Sequence, residues 1–86
     1  MAVLFPNHSR SHDTARCTVQ FWGYDAVVEV LFRVTEEALV RMDAGATDSA
    51  GLLRAFDTHR DRIVQVAGRV YARRRQGSYD LVASDF

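Results

Sequence analysis

The stretch CTVQFWGYDAVVEVLFRV, residues 17–34, decides the fold. Cys17, Val19 and Phe21 fall on one side of an extended chain, and Thr18, Gln20 and Trp22 on the other. That period of two predicts a half-buried strand, because successive side chains of a strand point to opposite faces. Gly23, Tyr24 and Asp25 supply turn chemistry. Val28, Val30, Phe32 and Val34 then share a face, with Glu29 and Arg33 on the other. Two such runs joined by a short turn predict an antiparallel hairpin.

Upstream, Val3-Leu4-Phe5 reads as a short edge strand ended by Pro6, which has no N–H to give to a ladder. Residues 7–15 are rich in Ser, His and Asp and read as a loop. Downstream, Thr35 is a good N-cap, and Glu36 and Glu37 suit the positive end of a helix dipole. Val34 and Leu39 have the spacing of a hydrophobic staple. A short helix is predicted to run to about Asp43 and to stop at Gly45. Thr47 or Asp48 then opens a longer helix reaching about Gln76, with Gly77 as its left-handed terminator. In a competing arrangement Thr58 caps a fresh helix, with Asp61 in its first turn, and the long helix is broken there. Tyr79, Leu81 and Ala83 alternate in a last strand.

The resulting order, β-β-β-α-α-β, predicts one α+β domain. Its segments are an N-terminal strand and polar loop (1–15), a hairpin (16–34), a short helix (35–44), a long helix (47–76) and a C-terminal strand (78–86). A small antiparallel sheet would carry the short and the long helix on one face.

Eighty-six residues, 48% hydrophobic and 26% charged, fit one globular domain with a thin core. A lone cysteine, Cys17, excludes an intramolecular disulfide and a cysteine-rich metal framework. The opening MAVLFPNHSR is too short an apolar run for a signal peptide. No run approaches the roughly 20 apolar residues of a membrane span. The expected compartment is a reducing cytoplasm, with no membrane association.

All eleven basic residues are arginine, and the zero net charge is unevenly spread. Residues 25–48 set six acids against two arginines, and residues 57–76 set six arginines against two acids. These oppositely charged segments point to self-association or an unidentified protein partner.

Steps of about 100° place Leu52, Leu53, Phe56, Ile63, Ala67, Val70 and Tyr71 on one stripe of the long helix. Arg62, Arg69 and Arg73 project away from it as an outward ridge, the candidate site for an anion or acidic partner. Its plainer reading is a solvated face. Arg74 and Arg75 suit the negative end of the helix. Arg60 instead points into the apolar stripe, where a charge needs a carboxylate or must snorkel. The expectation is a structural ion pair, with an acid from residues 25–48 as the candidate.

His8, His12, Asp13 and Cys17 could be drawn as metal ligands, but their spacing matches no zinc motif and Cys17 shares a face with Val19 and Phe21. A buried thiol is expected, and no metal. Cys17 with His59 as nucleophile and base is a chance pairing, and no glycine-rich phosphate loop is present. Neither an enzyme nor a cofactor is expected. Nucleic acid is a secondary reading, because the ridge supplies charge while the domain is neutral. Trp22 is expected to pack in the core.

Phe5-Pro6, Phe21-Trp22-Gly23, Ala55-Phe56-Asp57 with Arg60 and Ile63, Tyr71, and Ser78-Tyr79-Asp80-Leu81 resemble the domain of unknown function 1488 family of small bacterial proteins. The resemblance implies a compact α+β fold and a bacterial cytoplasmic origin. It brings no catalytic residues, and it sets Arg60 at a family arginine, which implies a structural role.

Overall fold

The computed structural model describes residues 3–6, 8–73 and 78–86. Four strands, β1 (Arg10–Asp13), β2 (Thr18–Asp25), β3 (Val28–Thr35) and β4 (Ser78–Leu81), form one sheet in that order. Helices α1 (Glu36–Met42), α2 (Ser49–Thr58) and α3 (Arg60–Arg73) connect β3 to β4. The architecture is α+β.

The hairpin of β2 and β3 pairs Val19 with Val34, Phe21 with Phe32 and Trp22 with Leu31. Val19, Phe21, Val30, Phe32 and Val34 are buried, so one parity of both strands faces the helices. The turn lies further along than Gly23: β2 runs through Asp25, and Ala26 turns the chain at φ 56. A left-handed conformation presses an L side chain against its own backbone. Ala26→Gly is therefore expected to stabilise the protein by about 0.5–1 kcal/mol. The urea midpoint should rise at constant slope, and a fall would show that Ala26 is not strained.

Gly23 stays inside β2 for another reason. The chain crosses tightly over it, with Leu4 and Tyr24 exchanging N–H···O bonds of 2.8 and 2.7 Å. This single bridge is what the expected strand at Val3-Leu4-Phe5 amounts to. The named edge strand is β1, within the segment read as a loop. It pairs antiparallel with β2, Arg10 opposite Phe21 and His12 opposite Val19. Its polarity hid it, because its inward side chains are polar ones satisfied by helix residues.

Thr35 caps α1 by accepting from the Ala38 N–H, and the staple residues Val34 and Leu39 are both buried. Asp48 caps α2 through the Gly51 N–H at 2.7 Å. The predicted long helix breaks at His59, which takes φ −104 and ψ 18. A fresh helix does start here, at Arg60, but Thr58 is the last residue of α2 and not the new helix's cap. An unbroken helix would aim Arg60 along the same stripe as Phe56 and Ile63, and the break lets its charged end reach a cleft. Leu52, Phe56, Ile63, Ala67 and Tyr71 are buried, with Leu53 and Val70 packed against that core. The expected helix end at Gln76 and Gly77, and Arg74 and Arg75, lie outside the described residues.

The sheet is mixed, not purely antiparallel. β4 runs parallel to β3, Phe32 beside Tyr79 and Val34 beside Leu81. A parallel neighbour needs a crossover of a dozen or more residues, and the three helices provide it. The last strand ends at Leu81, and Ala83–Asp85 form a short 3-10 turn.

Candidate interaction surfaces

At the break between α2 and α3, β1 approaches the helices. Arg10 donates two bonds to Asp57, from Nε at 2.9 Å and from its terminal nitrogen at 2.8 Å. This fork ties the edge strand to α2. Arg60 lies beside it with its guanidinium 5.7 Å from the centre of the Phe56 ring, an attractive stacking distance. His8, Arg10, Asp57, Thr58, Arg60 and Asp61 line a cleft of about 490 Å³. Asp57 of α2 and Asp61 of α3 share this cleft with Arg60. Two arginines and two aspartates leave it without a dominant charge.

The next inward residue of β1 is His12. Its Nδ1 lies 2.9 Å from Ser49 Oγ and its Nε2 lies 2.7 Å from Glu36 Oε2. The side chain is 10% exposed, so one imidazole stitches β1 to the starts of α1 and α2. That use leaves neither ring nitrogen for a metal. Among the described residues, no group of three His, Cys, Asp or Glu side chains is placed to hold one. Cys17 is exposed, not buried: at φ 54 it closes the β1–β2 turn and rotates out of phase with Val19.

The ridge residues Arg62, Arg69 and Arg73 are all exposed. Arg62 stacks over Phe86, its guanidinium 5.8 Å from the ring centre. Arg69 and Arg73 border a small cleft of about 170 Å³ with Ser84 and Asp85. The closing segment therefore lies along part of the ridge and brings an acid to it.

A further uncovered surface lies elsewhere. The buried apolar side chains of β2 and β3 all face the helices, which leaves the other side of the sheet bare apart from the buried Thr18 at one end. Trp22 and Leu31 sit opposite each other at its centre, half-buried and outside the core. Trp22 was expected in the core; its parity in β2 places it on the bare face instead. Tyr24 and Glu29 form the next rung towards the turn, and Gln20 and Arg33 the next rung the other way. The Tyr24 hydroxyl donates to Glu29 at 3.2 Å, a bond that raises the phenol above its ordinary value, helped by the carboxylate's charge and by burial. Leu4, 66% exposed, extends the apolar strip beyond Tyr24.

Arg33 is only 17% exposed, and its terminal nitrogen reaches Asp80 at 3.5 Å. Its Nε is buried and finds no hydrogen-bond partner among the described residues; the Thr18 hydroxyl is in the same condition. Both residues, with Arg16, Thr35, Asp80 and Val82, line a cleft of about 370 Å³. At the same end, burial raises the Asp13 carboxyl, but N–H donors of Arg16 and Ala15 and the Arg16 guanidinium outweigh it and hold the group below its ordinary range.

The model of a protein of unknown function, DUF1488, matches residues 3–82. The chain belongs to the DUF1488 family. A crystal structure of a DUF1488 protein of unknown function from Shewanella loihica PV-4 superposes with a TM-score of 0.82, at 15% identity, over 93% of this chain and 91% of that one. At that identity the likeness establishes the fold. No curated protein matches the chain.

For this DUF1488 chain, sequence reading singled out the arginines, whereas the structure also brings together two sites built from neutral-looking stretches. The His12 relay was missed because its partners Ser49 and Glu36 are 37 and 24 residues away. The bare face was readable in principle: Trp22 alternates with core residues, and an antiparallel hairpin aligns it with Leu31.

Proposed function

We propose that this DUF1488 protein is a non-enzymatic interaction protein that docks another protein on the bare face of its sheet. The observation carrying this reading is the half-buried rung of Trp22 and Leu31 outside the core, with Tyr24 on one side and Arg33 on the other. Trp, Tyr and Arg are the residue types that dominate binding energy at interfaces, and they do so when surrounded by a polar rim. Glu29, Gln20 and Asp80 provide that rim. Among the described residues no helix is long and apolar enough to cross a membrane.

The competing proposal is an RNA- or anion-binding module using Arg62, Arg69 and Arg73. Retention of protein and of RNA by the immobilised chain separates the two. The docking reading predicts that a bound protein survives Arg69→Glu/Arg73→Glu and is lost with Trp22→Gln, while the fold is kept. RNA retention that falls steeply with salt and disappears in the arginine variant would favour the other. A bound protein indifferent to Trp22→Gln would overturn docking on this face.

A further inference from the structure

We propose that the occupant of the bare face is a second copy of this chain, joined by a two-fold axis that crosses the strands at the Trp22–Leu31 rung. The inference rests on the docking reading and names its partner.

It follows from the register. Arg33 and Glu29 lie on β3 two residues either side of Leu31, on the same face. At about 3.3 Å per residue each stands about 6.6 Å from the central rung, in opposite directions. A two-fold axis in the interface, perpendicular to the strands, keeps β3 over β3 and reverses its direction. Arg33 of each copy then meets Glu29 of the other. Leu31 faces Leu31, and Trp22 faces Trp22. One surface is thus its own complement, with an apolar centre and two symmetric charge pairs, as an isologous dimer requires.

The state of Arg33 in the single chain supports this. Its side chain is mostly buried, its Nε has no partner among the described residues, and Asp80 reaches it only at 3.5 Å. A carboxylate arriving from outside the sheet would give the guanidinium, through the part of the side chain that stays exposed, the close acceptor that Asp80 does not. Two sheets stacked face to face stand about 10 Å apart, a gap that paired Trp22 and Leu31 side chains fill.

Size sets the strength. Two central strands of eight residues and two flanking strands of four, about 4.8 Å apart, give a face of about 380 Å² per copy. The total of about 760 Å² lies below the range of stable specific interfaces, so the dimer is weak, reversible and dependent on concentration.

Sedimentation velocity over a rising concentration series tests it. The wild type should pass from monomer to dimer. Arg33→Glu and Glu29→Arg each place like charges opposite one another and should weaken association by about tenfold or more. An equimolar mixture of these two variants restores both pairs and should recover a dimer, which a general loss of folding would not allow. Circular dichroism confirms that each variant keeps its fold. A wild type that stays monomeric at every concentration, or a mixture no better than its components, overturns the dimer. Trp22-dependent capture of a different protein would then leave docking on this face standing; loss of both would remove that reading as well.

Discussion

Phe32→Ala is expected to destabilise the protein by about 3–5 kcal/mol, the range for emptying a buried aromatic site. Phe32 is fully buried and sits between elements distant in sequence. Its ring centre is 5.5 Å from Phe5, 5.5 Å from Phe21 and 5.2 Å from Tyr79, with Tyr71 at 6.5 Å. The first residues described, the hairpin, α3 and the last strand therefore meet on one side chain. A domain of this size has a total stability of about 4–13 kcal/mol, so the loss removes a large share of it. At about 4–8 °C per kcal/mol, the midpoint of thermal unfolding should fall by tens of degrees. Denaturant titration should show the same loss at unchanged slope. A cost under about 1.5 kcal/mol would mean that the neighbouring rings close over the gap, contrary to a tightly packed cluster.

Gly23→Ala is expected to cost about 1–3 kcal/mol despite adding one methyl group. That group would stand 2.7 Å from Val3 Cγ2, 2.8 Å from Phe5 Cε2 and 3.0 Å from the Leu4 carbonyl oxygen. The two side-chain contacts can yield a little, but the carbonyl belongs to the bridge with Tyr24 and cannot move without breaking it. The strand segment around Leu4 should then detach, taking Phe5 off Phe21 and Phe32. Hydrogen exchange at the Leu4 and Tyr24 amides reads this directly. Fast exchange at both, with β2–β3 amides still protected, is the expected pattern. Unchanged protection at Leu4 would show that the crossing is looser than these distances imply.

These two positions also show what was legible in the sequence. The alternation around Phe21 and Phe32 gave the hairpin, its buried face and, by parity, the bare one. Thr35 and Asp48 announced the starts of α1 and α2, because capping is a local bond between a side chain and a nearby N–H. Gly23 misled for an equally physical reason. Glycine suits both a turn and a close approach of two backbones, and only the distant segment at Val3 to Phe5 decides between them. The direction of β4 was hidden as well, since alternation is the same in parallel and antiparallel strands. The break at His59 has no proline or glycine to mark it. Cys17 and His12 were misplaced because a turn at positive φ and a polar edge strand carry no hydrophobic period. Arg62, Arg69 and Arg73 lie on an exposed helix face, where the 100° spacing puts them. Their contacts with Ser84, Asp85 and Phe86 depend on where the closing turn packs.

The parallel pairing of β3 with β4 also bears on how the protein is made. During translation, β1, β2 and β3 leave the ribosome as a meander whose β3 edge has nothing to pair with. Its proper neighbour is encoded after residues 36–77, so the sheet stays open until that whole crossover has been synthesised and folded. Through that interval an apolar strand edge carrying Val30, Phe32 and Val34 is a template for the wrong chain. A chain cut short within α3 would keep that edge exposed permanently, which makes prematurely terminated copies candidates for aggregation and proteolysis.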